Sequence, residues 1–99
     1  MRYDLTEKLK FGEDPVLVIR GEEMTIRSDA ETVLRLMDVL RTKGEAAGAA
    51  EALELLMSEK DRKKLSGLHL KLDDYIETVK AAVQLALGGD PEEESAEGE

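Results

Sequence analysis

At 99 residues the chain has the length of one domain and is too short for two, and with only Tyr3, Phe11 and Tyr75 as aromatics its core must be aliphatic. Cysteine is absent, which excludes disulfides, thiolate zinc sites and thiol nucleophiles together. The formal charge is −9, and no basic stripe interleaved with aromatics offsets it, which argues against binding to nucleic acid.

The opening Met1-Arg2-Tyr3-Asp4-Leu5-Thr6-Glu7-Lys8 mixes charges into its apolar residues. No stretch approaches the roughly 20 apolar residues of a membrane span, so a cytoplasmic protein is expected. Tyr3, Leu5, Leu9 and Phe11 are candidates for a third strand or a covering segment beside the first clear element, a β-hairpin over about residues 16–27. Val16-Leu17-Val18-Ile19 is apolar and rich in β-branched residues, and it closes at Arg20-Gly21-Glu22-Glu23. Met24-Thr25-Ile26-Arg27 then alternates, which places Met24 and Ile26 on the core and Thr25 and Arg27 in water.

Helices follow over about 29–43, 45–57, 59–66 and 73–88. The first opens on Ser28-Asp29-Ala30-Glu31, the spacing of a capping box with Ser28 as cap, and carries an apolar stripe of Ala30, Val33, Leu34, Met37 and Leu40 widened by Leu36. Glu31, Arg35, Asp38 and Arg41 make its polar face, and Gly44 offers the stop. The second is rich in alanine from Ala46 to Ala52, with Gly48 as its soft point; its small side chains permit close approach by another helix. Core packing is the ordinary use of such a surface, and docking of a second protein the less common one. The third takes Ser58 as cap and ends at Gly67. Leu68-His69-Leu70-Lys71-Leu72 reads as an extended connector whose leucines plug the core, after which Asp73 or Asp74 caps the fourth helix. Gly88-Gly89-Asp90-Pro91 ends that helix. Asp90, Glu92, Glu93, Glu94, Glu97 and Glu99 carry six of the negative charges with no large apolar residue among them after Pro91, so residues 90–99 are expected to form a disordered acidic tail.

The fold class is therefore α+β: an N-terminal hairpin packed on about four helices, mostly helical, in a single domain over residues 1–89. So thin an aliphatic core is often supplemented by self-association, which makes a homo-oligomer an expected partner state.

Chemistry-bearing groups are few. His69, the single histidine, lies between leucines on the connector, and a general base needs a positioned partner in a pocket. Asp73 and Asp74 are sequence neighbours whose side chains diverge on a helix, and Glu92-Glu93-Glu94 lacks the spacing of a calcium loop. No glycine pattern matches a phosphate cradle or a nucleophile elbow. Lys60, Arg62, Lys63 and Lys64 form the basic patch, which reads as a solvated helix face and secondarily as a dock for an acidic segment. A non-enzymatic chain is expected, with no catalytic, cofactor or metal residue and with partner-binding residues that the sequence does not single out.

Three strings resemble the tail assembly chaperones of siphophages and prophages of Gram-positive hosts. They are Tyr3-Asp4-Leu5-Thr6-Glu7-Lys8-Leu9 with Pro15-Val16-Leu17-Val18-Ile19, then Leu55-Leu56-Met57-Ser58-Glu59-Lys60-Asp61-Arg62-Lys63-Lys64-Leu65, and the ending Asp74-Tyr75-Ile76-Glu77-Thr78-Val79 through Leu87-Gly88-Gly89-Asp90-Pro91-Glu92. The resemblance implies a protein that coats the apolar helical tape measure protein and keeps it in solution until tail tube subunits assemble around it. It also implies a longer frameshifted product from the same gene. A different class of reading is a small acidic regulatory or adaptor protein whose tail binds a basic partner.

Overall fold

A computed structural model describes residues 1–9 and 11–89; the predicted disorder of residues 90–99 lies outside the described residues. Strands β1 (Val16–Ile19) and β2 (Glu22–Thr25) form an antiparallel pair in which Leu17 faces Met24 and Ile19 faces Glu22. Arg20 and Gly21 turn the chain with φ of 51° and 81°, the doubly positive geometry that matches the twist of a two-residue hairpin. As the alternation predicts, Met24 and Ile26 are fully buried while Thr25 and Arg27 are exposed.

No third strand forms among the described residues: the sheet has two strands, and Thr6–Lys8 makes a single 3-10 turn. Asp4 accounts for the departure. Its carboxylate accepts hydrogen bonds from the Thr6 N–H and hydroxyl, a local arrangement that competes with extended pairing. Tyr3, Leu5, Leu9 and Phe11 consequently remain exposed and do not cover the core.

Helix α1 (Ala30–Lys43) is capped by Asp29, not by Ser28. The Asp29 carboxylate accepts from the Thr32 N–H at 3.1 Å and from the Thr32 hydroxyl at 2.8 Å. Ser28 is engaged elsewhere, its hydroxyl donating to Asp14 at 2.9 Å, and a carboxylate suits the positive end of the helix better than a hydroxyl. The Thr32 hydroxyl, and after it the Thr32 N–H, hold the Asp29 carboxyl below its ordinary value of 3.8. Because the folded value is depressed, the cap contributes fully above 3.8 and is lost as pH falls through the lower folded value. Amide exchange at Thr32 should accelerate on acidification below pH 3.8 in the wild type relative to Asp29→Asn, after correction for intrinsic rates; equal profiles would contradict the assignment.

The predicted apolar stripe of α1 is wider than the core it meets. Leu36 is fully buried and Val33 and Leu40 pack beside it, whereas Leu34 and Met37 are 65% and 53% exposed. At about 100° per residue, Ala30, Leu34 and Met37 form a second line rotated by roughly 100° or more from Leu36. The core reaches only the first line.

Helix α2 (Ala49–Leu56) starts four residues later than its predicted start at 45. The chain reverses after Gly44, whose φ is 81°, and Gly48 N–H closes the turn on Gly44 O at 2.9 Å. A Cβ on Gly48 would lie 2.7 Å from that carbonyl oxygen and 3.1 Å from Val39 Cγ1. Gly48→Ala should therefore cost about 1–3 kcal/mol in urea unfolding despite the higher helix propensity of alanine; a neutral or stabilising effect would contradict this close approach. An ion pair of 2.6 Å between Lys43 and Glu51 spans the same turn.

Alanine-rich α2 spends its small side chains internally. Ala49, Ala52, Leu53 and Leu56 are buried, and α2 meets α4 (Leu72–Ala86), which buries Val79, Ala82 and Ala86. Small buried side chains on both helices suit a close approach. Helix α3 (Glu59–Gly67) is capped as predicted, with Ser58 Oγ accepting from Asp61 N–H at 3.2 Å.

Neither Asp73 nor Asp74 caps α4. The cap position is Lys71, without a side-chain bond, and both aspartates sit in the first turn, where they meet the helix dipole directly. The helix begins one residue earlier than predicted because the alternating connector gives way to helical spacing at Leu72. Leu68 and Leu70 pack on the core, but Leu72 is exposed and plugs nothing. At the far end Gly88 adopts φ 87°, its N–H bonding Leu85 O and the Gly89 N–H bonding Gln84 O, the paired closure that a left-handed glycine permits.

Candidate functional site

The residues singled out for possible chemistry do not converge. His69 is exposed on the connector with φ of 50°, Asp73 and Asp74 are exposed at the start of α4, and no group of three His, Asp or Glu side chains among the described residues is placed to hold a metal ion. Glu92-Glu93-Glu94 lies outside the described residues.

The basic patch is divided in its use, and the reading of it as a solvated face needs correction at Lys64. Lys60 and Lys63 are exposed, the latter 3.9 Å from Glu59. Lys64 instead reaches the hairpin: its ammonium donates to Glu23 O at 2.9 Å and lies 3.6 Å from Asp61 Oδ1. Asp61 is buried and its Oδ2 accepts from Thr25 N–H at 2.9 Å. Together with Arg27 N–H on Leu56 O at 2.8 Å, these bonds cap the outer edge of β2 with α3 and the end of α2. The signal was the i, i+3 spacing of Asp61 and Lys64, which identifies a pair but not the strand edge it covers. Asp61→Ala should destabilise by about 1–3 kcal/mol, since it leaves a strand N–H without its acceptor. Denaturant midpoints of that variant beside Lys60→Ala, which should be neutral, test the assignment.

The candidate site is a surface. On α1 the outward line of Ala30, Leu34 and Met37 runs beside Glu31, Arg35 and the 2.6 Å Asp38–Arg41 pair, so an apolar strip is rimmed by charges of both signs. Leucine supplies buried area on contact, and methionine adapts to irregular partners. Further exposed apolar groups are Tyr3 and Phe11 on the N-terminal segment, Val16 and Val18 on β1, and Leu72 and Leu87 at the two ends of α4. Lys8 lies with its ammonium 5.6 Å from the Tyr3 ring centroid.

Two open grooves accompany this surface. One runs along Arg2–Leu5; the other lies between Glu13, Pro15 and Ser28 on one side and residues 85–89 on the other. The second holds no basic side chain, and in the first Arg2 and Asp4 are exposed residues of the N-terminal segment. What the arrangement can do is present apolar side chains to another macromolecule. No helix among the described residues is long and apolar enough to cross a membrane.

The chain matches no family model, no curated protein and no solved structure. The class defined by its fold is a small α+β domain, a hairpin on four helices with an apolar line left outside its core.

Proposed function

We propose that this chain is a cytoplasmic tail assembly chaperone of a siphophage or prophage, a non-enzymatic protein that binds the tape measure protein and keeps it in solution during tail assembly. The observation that carries the reading is the double-sided apolar character of α1: Val33, Leu36 and Leu40 serve the core, while Leu34 and Met37 stand outside it. An amphipathic partner helix laid along α1 would bury Leu34 and Met37 and keep its own polar face in water. The resemblance of the three strings in residues 3–19, 55–65 and 74–92 supports the choice of partner, because a tape measure protein is a long helix with apolar surface to cover.

Excess negative charge supports the same role physically. The chain carries 23 acidic against 14 basic residues, and a complex that inherits this imbalance resists association with further copies of itself. Co-expression with the tape measure protein of the same gene cluster tests the proposal. A co-purifying complex and a gain in soluble tape measure protein are expected; a tape measure protein that stays insoluble, with no complex, would overturn it.

A further inference from the structure

We propose that the chain pairs with a second copy of itself through the open edge of β1, joining two hairpins into one four-stranded antiparallel sheet. Ile26 N–H donates to Pro15 O, so the pairs 15/26, 17/24 and 19/22 carry the hairpin hydrogen bonds. The N–H and C=O groups of residues 16 and 18 on one strand, and of 23 and 25 on the other, therefore point away from the pair. On β2 these groups meet Asp61 and Lys64. On β1 those of Val16 and Val18 have no partner among the described residues.

Three of the usual protections of a free edge are missing here. Proteins blunt such edges with lysine, with proline facing outward, or with a covering helix. Between Val16 and Ile19 there is no charge. Pro15 sits in a position whose nitrogen faces β2, so its missing N–H does not block the outer side. Val16 and Val18 are 49% and 55% exposed, and β-branched side chains across from one another favour strand pairing.

Charge fixes the occupant and the register. Two copies related by a twofold axis at Leu17 place Val16 opposite Val18 of the other copy, with the outward N–H and C=O groups of both in bonding positions. The same register brings the Asp14 end of each β1 alongside the Arg20 turn of the other copy, so opposite charges lie at both ends of the paired strands. Both hydrogen bonds from Ser28 go to a single Asp14 oxygen, Oδ1. A shift by two residues in either direction separates these opposite charges, so the second copy is a better match to this edge than an arbitrary extended segment.

Sedimentation equilibrium of the full chain tests the proposal without any tail protein, so its outcome is separate from that of the chaperone assignment. The expected particle has twice the 10.9 kDa chain mass. Val18→Pro removes an outward donor that the hairpin does not use and should yield a monomer with a wild-type circular dichroism spectrum. Arg20→Asp brings a like charge alongside the Asp14 end and should weaken the dimer roughly tenfold. In the wild type, Val16 and Val18 amides should exchange slowly in concentrated samples and fast on dilution, a readout that holds even if the proline variant folds poorly. A wild-type chain that stays monomeric up to millimolar concentration, a folded Val18→Pro dimer, or amides indifferent to dilution would each overturn the pairing.

Discussion

Leu56→Ala is expected to lower the unfolding free energy by about 2–5 kcal/mol, the range for emptying a fully buried leucine site. Leu56 is completely enclosed at the end of α2, where its carbonyl also receives Arg27 N–H at 2.8 Å and the neighbouring Leu55 carbonyl receives the Arg27 guanidinium at 3.1 Å. The strand-to-α1 passage is thereby tied to the end of α2. Domains hold only about 5–15 kcal/mol in total, so this loss would leave a large unfolded population on warming. Leu34→Ala provides the internal comparison: the same residue type, 65% exposed on α1, should change stability by no more than about 0.5 kcal/mol. Urea unfolding of the two variants measures the contrast, and similar losses would mean that the core does not lie where Leu36, Leu53, Leu56 and Val79 place it.

The reverse pattern is expected for partner binding. A double variant, Leu34→Gln with Met37→Gln, places residues of good helix propensity at two exposed positions and should retain wild-type stability. Its affinity for the tape measure protein should fall on the order of a hundredfold, as removal of two central apolar anchors does. The measurement is a binding titration backed by soluble yield on co-expression. Unchanged affinity would move the binding face away from α1, with the N-terminal Tyr3 and Phe11 the next candidates.

Local physics made much of the fold legible. Alternation through Met24 and Ile26 assigned the buried face of β2, and a serine three residues before Asp61 marked the start of α3. Gly88 ended α4 because only a residue without a side chain enters its positive φ without strain. The errors arose where two groups compete for one role. Ser28 and Asp29 are both good caps, and the choice turned on Asp14, fourteen residues upstream of Ser28, which takes up the serine hydroxyl. Asp73 and Asp74 failed as caps because the helix starts at Leu72, ahead of both.

The proposed interaction surface was less legible than the fold, for a geometric reason. Periodicity along α1 records that Leu34, Leu36 and Met37 are apolar but not how wide a groove the rest of the chain offers them. Helix α2 meets α1 on its Leu36 side, and the remainder becomes surface. The role of Asp61 and Lys64 was hidden similarly, since the strand edge they satisfy lies 36 and 41 residues away in sequence. The open edge of β1 is visible only once the register is known.

Methionine methyl groups offer the most direct test of the proposed binding face. The chain has four methionines: Met24 and Met57 are sealed in the core, Met1 is exposed at the start, and Met37 stands on the outward line of α1. In a chain labelled at these methyls and titrated with the tape measure protein, the account predicts a large shift or broadening of Met37 with far smaller changes at Met24 and Met57. Saturable binding that leaves the Met37 signal unmoved would contradict it.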